Sequence, residues 1–254
     1  RARTYYLYPL IASELGDAFD VKQYLSVGGL PEAYLSEDAD EFLQSYISTY
    51  LYEEIMQESL VRNLESFSRF LRSASLSQGS VLNMSAVARD CSVKQKTVGS
   101  YFSILSDLLM SVHLPAFTRR AKRRLIQHDK FYLFDVGVYR AVRPRGLLDS
   151  TEEIDGAALE TLFLQHLSAL NEYYSLGYAL SYWHTSDGKE VDFVLYGEKG
   201  FFAFEVKRAS NIQSSDVRGL KAFKEDYPEA TCYLIYSGID KVHKNGITFL
   251  PLTY

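Results

Sequence analysis

The 254 residues include 27 Lys or Arg and 32 Asp or Glu, a formal net charge of −5, and 47% of the side chains are apolar. That apolar fraction suits folded domains with buried cores and excludes general disorder, and the acidic balance excludes a surface that binds nucleic acid everywhere. Two cysteines, Cys91 and Cys232, provide neither a disulfide framework nor metal-ligand spacing, so a reducing, cytoplasmic setting is expected. No apolar run reaches the ~18 residues of a transmembrane helix and no signal peptide is visible, so no membrane partner is expected. The chain starts at Arg1 rather than Met, which is read as processing or as part of a longer protein.

Residues 1–36 open with the strand-like run Tyr5-Tyr6-Leu7-Tyr8-Pro9-Leu10 and contain the turn Gly28-Gly29-Leu30-Pro31. This piece reads as a junction after a domain that is absent here. Residues 37–80 read as a helical segment. Phe42, Leu43, Tyr46, Ile47, Tyr50, Leu51 and Ile55 recur at helical spacing after the acidic first-turn residues Asp38, Asp40 and Glu41. Leu60, Val61, Leu64, Phe67, Phe70 and Leu71 mark a second helix, which is expected to end in the Ser-rich run before Gly79.

Residues 81–148 predict a winged helix. A short helix after an Asn83 or Ser85 cap is followed by a longer one from Val93 to Met110. Ser92 is its expected cap, and Val98, Phe102, Leu105, Leu108 and Leu109 face inward. Strand-like runs at Ser111–Pro115 and Phe131–Phe134 flank a basic cluster, and residues 81–130 hold nine Lys or Arg against three Asp or Glu. Lys94 and Lys96 stand at the front of the candidate recognition helix, and Arg119, Arg120, Lys122, Arg123 and Arg124 form the basic loop, so DNA is the expected partner. The alternative is a protein-interaction module with a solvated basic loop. His113 and His128 have no second ligand at useful spacing and are read as structural or exposed.

Asp135 is the expected cap of a helix after the second strand, and the polar segment 149–155 is the expected domain boundary. Residues 149–254 then read as α-β-β-β-α-β: a helix after Gly156, a strand at Ala179–Thr185, a hairpin, a helix near Ser214–Tyr227, and a strand at Thr231–Ser237. The hairpin embeds Asp192, Glu205 and Lys207 in apolar strands, where charge is costly unless paired or used. Alternation puts Glu205 and Lys207 on one face. Pairing of the two strands would bring Asp192 near them, a carboxylate pair for a hard divalent cation with a lysine alongside.

Glu160 on a helix, then Asp192, then Glu205-Val206-Lys207, resembles the PD-(D/E)XK nuclease-like, restriction-endonuclease-like fold in motif and element order. The phrases Leu7-Tyr8-Pro9-Leu10, Gly28-Gly29-Leu30-Pro31, Phe134-Asp135-Val136-Gly137, Gly188-Lys189-Glu190-Val191-Asp192-Phe193 and Phe204-Glu205-Val206-Lys207 resemble the C-terminal region of bacterial and archaeal AAA-type ATP-binding proteins. In those an ATPase core precedes helices, a winged helix and a nuclease-like domain of unknown function. The resemblance implies a mixed α+β chain, an upstream AAA ATPase domain as partner, and Mg²⁺ or Mn²⁺ held by Asp192, Glu205 and the Val206 carbonyl. It implies catalytic roles for Lys207, which would orient water, and for Glu160 as a further carboxylate. His184 stands where the family carries a basic residue. No G-x-x-x-x-G-K-[ST] phosphate loop occurs, so no ATPase activity is expected of this chain. The functional expectation is DNA-directed, metal-dependent phosphodiester hydrolysis. Its alternative is a non-catalytic module coupling the ATPase to a protein or nucleic acid. A small-molecule enzyme finds no nucleophile–base set or Gly-rich cofactor loop. The sequence is silent on target, oligomeric state and physiological role.

Overall fold

A buried carboxylate ties distant stretches of the chain together in the computed structural model, which describes residues 5–51, 53, 55, 63–147 and 149–253. Asp135 is fully buried and accepts hydrogen bonds from the Gly29 amide at 2.8 Å, the Val138 amide at 3.0 Å and the Gln165 side-chain amide at 3.2 Å. It thereby caps one helix and anchors the Gly28-Gly29 turn at once. Gly28 has a φ of +78°, and a Cβ there would lie 2.2 Å from the Asp135 carboxylate, so only glycine fits. Two of the phrases behind the family resemblance thus meet as structure.

The chain divides into two units, Arg1–His113 with Phe131–His166, and Leu114–Lys130 with Leu167–Tyr254. The architecture is mixed α/β. In the first unit, α1 (Ala12–Leu15), α2 (Val21–Val27), α3 (Pro31–Leu35) and α4 (Ala39–Ser45) lead into a π-helical stretch at Tyr46–Leu51. Residues 5–10 form no strand. Instead the Leu10 carbonyl accepts from the buried Tyr24 hydroxyl and the Leu10 amide donates to Gly29. Leu43, Ile47 and Ile55 are buried, as their spacing predicts, whereas Leu60 and Val61 and the side chains of Tyr50 and Leu51 lie outside the described residues.

Helix α5 (Leu64–Ser75) starts at Asn63, whose side chain accepts from the Ser66 amide, and buries Phe67, Phe70 and Leu71. These rings pack on Tyr101 and Phe102, with Phe70 and Phe102 edge to face at 4.8 Å. Helices α6 (Met84–Asp90) and α7 (Gln95–Asp107) make the expected short–long pair, with Asn83 as the α6 cap. Ser92 is not the α7 cap. It takes a left-handed conformation in the turn, with a φ of +56°, and Lys94 occupies the cap position without a side-chain bond. Leu109 does not face inward either: α7 ends at Asp107, Leu109 turns left-handed and 60% exposed, and Met110 takes the buried place. Strands β1 (Ser80–Val81), β2 (Ser111–Leu114) and β3 (Lys130–Leu133) form a sheet in the order β1-β3-β2, followed by α8 (Val136–Val142). Helix α9 (Thr151–Tyr173) begins five residues before Gly156, so the polar segment expected as a boundary is largely helical.

In the second unit, six strands take the order β4-β5-β6-β7-β9-β8. They are β4 (Ala179–His184), β5 (Glu190–Gly197), β6 (Gly200–Lys207), β7 (Thr231–Tyr236), β8 (Val242–Lys244) and β9 (Ile247–Pro251). Strands β4–β5 and β5–β6 pair antiparallel, β6–β7 and β7–β9 are parallel, and β8 closes the edge antiparallel. The β8–β9 hairpin extends the expected order. Helix α10 (Arg218–Asp226) lays Leu220 and Phe223 on Trp183, Val191, Val194 and Ala203. The segment 114–130 covers the β4 edge, since the Phe117 amide donates to Tyr182 and the Ile126 amide to His184. The basic loop assigned by sequence to the winged helix therefore belongs to this second unit, because its backbone finds its hydrogen bonds there.

Candidate functional site

Strands β5 and β6 pair with Phe193 opposite Phe204, and the next step along this register sets Asp192 opposite Glu205. Between the Ser181–Val194 and Trp183–Val191 pairs, Asp192 and Phe193 together oppose the single residue Tyr182. This is a β-bulge, a device that re-aims a side chain at the cost of one ladder position. On the other side of β5, Asp192 Oδ2 accepts from the Val206 amide at 2.8 Å. The β5–β6 tie is thus completed by the carboxylate itself.

Glu205 is 6% exposed, and its Oε1 lies 2.7 Å from the Lys207 ammonium. Its Oε2 is buried and has no hydrogen-bond partner among the described residues. Burial, and then the charge of Asp192, push the Glu205 carboxyl well above the usual carboxylate range; Lys207 opposes the shift and Glu190 adds to it. Strand alternation also places Glu190 with Asp192 on β5. Its Oε1 takes the Lys130 ammonium, and its Oε2 lies 3.7 Å from His184 Nδ1. Lys130 is 2% exposed, 3.8 Å from Asp192 Oδ1, and 5.5 Å above the Tyr182 ring. Three carboxylates thus lie beside two ammoniums and the His184 ring.

Sequence reasoning missed Glu190 and Lys130. The i, i+2 spacing of Glu190 and Asp192 was a usable signal, as was a lone lysine at the head of an apolar strand. Helix α10 is held close by Gly219, where a Cβ would fall 1.6 Å from the Glu190 carbonyl oxygen. Only a residue without a side chain permits this helix to lie on the strand that carries the acids.

Glu160 belongs to the first unit, where its Oε2 accepts from the Tyr132 hydroxyl at 3.0 Å. Asp192, Glu205 and Lys207 are together in the second. Among the described residues no group of three or more His, Cys, Asp or Glu side chains is arranged to hold a metal ion. Two carboxylates on adjacent strands, one with a buried oxygen that has no hydrogen-bond partner among the described residues, are of the oxygen-donor chemistry that suits a hard cation. A cavity of about 450 Å³ is lined by Ile212, Val217, Lys221, Tyr236, Lys244 and Phe249 among others. None of the three site residues lines it.

The basic residues separate. Lys94 and Lys96 are exposed at the start of α7 in the first unit. In the second unit Arg123 is bound to Asp226 at 2.9 Å and Glu225 at 2.8 Å, and Arg119 lies 5.0 Å over the Tyr196 ring. Arg120, Lys122 and Arg124 belong to the same segment. His113 sits edge to face with Phe102 and Phe131, and the His128 carbonyl accepts from the Tyr182 hydroxyl. No helix among the described residues is long and apolar enough to cross a membrane.

Comparison with known proteins places these features in families without an assigned activity. Residues 155–254, which contain the acidic cluster, match the family described as domain of unknown function DUF4143. The uncharacterized protein Mb2031c of Mycobacterium bovis and the uncharacterized protein Rv2008c of Mycobacterium tuberculosis are each 25% identical to the chain over 217 residues. The matches cover 83% of this chain and 48% of each relative, so the chain spans about half the length of the curated relatives it matches. No solved structure matches it. Residues 18–149 match the family described as domain of unknown function DUF8612, and as that match covers more than half of its length, the chain belongs to that family.

Proposed function

We propose that the second unit is a PD-(D/E)XK nuclease-like domain in which Asp192 and Glu205 hold Mg²⁺ or Mn²⁺ for phosphodiester hydrolysis. In this reading the chain is the C-terminal part of a cytoplasmic AAA-type ATP-binding protein. The observation that carries it is the buried Glu205 Oε2 next to Asp192, which has no hydrogen-bond partner among the described residues. A bound divalent ion would polarise the phosphodiester and lower the pKa of the attacking water. Lys207 holds the Glu205 carboxylate in one orientation, and with a third of its side chain exposed it presents positive charge to an incoming phosphate. The Val206 amide keeps Asp192 turned toward Glu205. The ATPase association rests on the sequence phrases, with support from relatives about twice as long. Helices α6 and α7 with the β1-β3-β2 sheet support a winged-helix reading, with Lys94 and Lys96 as DNA contacts.

A second reading, a non-catalytic module that couples the ATPase to a partner, is favoured by Lys130, whose ammonium already pairs with Glu190 and lies 3.8 Å from Asp192. Plasmid and short duplexes incubated with Mn²⁺ separate the two. The wild type should cut, and Asp192→Ala and Lys207→Ala should lose about a hundredfold or more of the rate. Equal background from all three proteins rejects catalysis. In the same series, neutralising Lys94 and Lys96 should weaken duplex binding and flatten its salt dependence, and unchanged affinity removes α7 as a DNA contact.

A further inference from the structure

Lys130 has a location that its own strand does not explain. The three residues after it, Phe131, Tyr132 and Leu133, are buried and apolar, and an apolar side chain at this position would spare the cost of burying an ammonium. Its contacts are with the acids of β5: Glu190 Oε1 closely, Asp192 Oδ1 at 3.8 Å, and the face of Tyr182 at 5.5 Å. Asp192 Oδ2 accepts from the Val206 amide, so Oδ1 is the freer oxygen for a cation, and Oδ1 is the one Lys130 approaches. At 3.8 Å the ammonium opposes a second cation by charge without sealing the oxygen in a short hydrogen bond.

We propose that Lys130 is a resident cation of this site, competing with a divalent metal for the charge of Asp192 and so setting how tightly the metal binds. The inference rests on the metal-site reading above and adds a regulator to it. Without metal, the lysine offsets part of the charge of Glu190 and Asp192. With metal, its charge opposes binding, so the site loads only when the divalent ion is abundant.

The test is Mn²⁺ titration of the full chain, followed by the electron paramagnetic resonance of free Mn²⁺, for wild type, Lys130→Met, Asp192→Asn and the double variant. Methionine keeps the length of the side chain and removes the charge. Lys130→Met should bind one Mn²⁺ on the order of tenfold or more tightly than wild type, since a unit charge a few ångströms from a divalent ion acts in a partly desolvated site. The gain should vanish when Asp192→Asn is added. Equal or weaker binding by Lys130→Met, with Asp192→Asn still lowering wild-type affinity, overturns the role of Lys130 and leaves the metal site standing. No Asp192-dependent Mn²⁺ binding in either wild type or Lys130→Met overturns both. Binding by Lys130→Met alone supports the inference and makes the wild-type site a lysine-neutralised one. Should Lys130→Met be unfolded without metal, refolding from urea across a Mn²⁺ series decides: recovery of the Trp183 fluorescence supports the replacement of lysine by metal, and no recovery at any Mn²⁺ concentration overturns it.

Discussion

Asp135→Ala should be among the most damaging substitutions in the chain, although it lies in the first unit and outside the acidic cluster. The wild-type carboxylate is fully buried and receives three donors: the amides of Gly29 and Val138 and the Gln165 side chain. Burial pushes its carboxyl above the ordinary range, and the bonds from Gly29, Val138 and Gln165 oppose that shift. Removing the cap of α8 costs about 0.5–2 kcal/mol. Leaving the buried Gly29 amide unpaired adds about 1–3 kcal/mol, and the stranded Gln165 amide about 1 kcal/mol. Relief of the buried charge offsets part of this, so a net loss of about 3 kcal/mol is expected. Asp135→Asn should fall between alanine and wild type, because it offers one acceptor oxygen and turns its NH₂ toward a donor. Urea unfolding followed by far-ultraviolet circular dichroism measures both. A loss below about 0.5 kcal/mol for Asp135→Ala, or an asparagine variant as stable as wild type, would refute the three-donor account.

The pH dependence of Glu205 has a definite sign. Its folded pKa is raised, so the folded chain holds the proton more tightly than the unfolded one; that stabilisation is present below the unfolded carboxyl pKa and is lost as pH rises through the folded value. In EDTA, Glu205→Gln should therefore show a higher urea midpoint than wild type at about pH 8, with the difference gone by about pH 4, and a gain that grows as pH falls would contradict it. Gly219→Ala should destabilise by about 2 kcal/mol or more in thermal melts, because its Cβ meets the Glu190 backbone rather than a movable side chain. A melting temperature within a degree or so of wild type would mean that α10 can lift off β5 at little cost.

Much of the helical content was legible because burial follows the 3.6-residue period: Leu43, Ile47, Phe67, Phe70, Val98, Phe102 and Leu105 are buried where their spacing puts them. The β5–β6 hairpin was legible for the matching reason, period-two strands joined across Gly197 and Gly200. The β8–β9 hairpin was not, since Val242-His243-Lys244 is exposed along its length and carries no buried face for a pattern to mark. Tyr5–Leu10 misled in the other direction. Its aromatic run has the propensity of a strand, but its backbone at Leu10 is taken by Gly29 and Tyr24.

By itself the sequence determined which residues could be chemical. Charged side chains inside apolar strands are rare enough that Asp192, Glu205 and Lys207 stand out before any coordinate is known, and strand alternation already puts two of them on one face. Only the tertiary structure decided what surrounds them. Asp192 accepts from the Val206 amide of the next strand, Gly219 brings α10 onto Glu190, and Lys130 reaches the same acids from sixty or more positions earlier in the chain. It likewise moved residues 114–130 from the expected winged helix to the β4 edge. Local pattern records a residue's own period and charge. Which distant group balances a buried charge, or which open strand edge a loop must satisfy, depends on contacts that exist only once the chain has closed on itself.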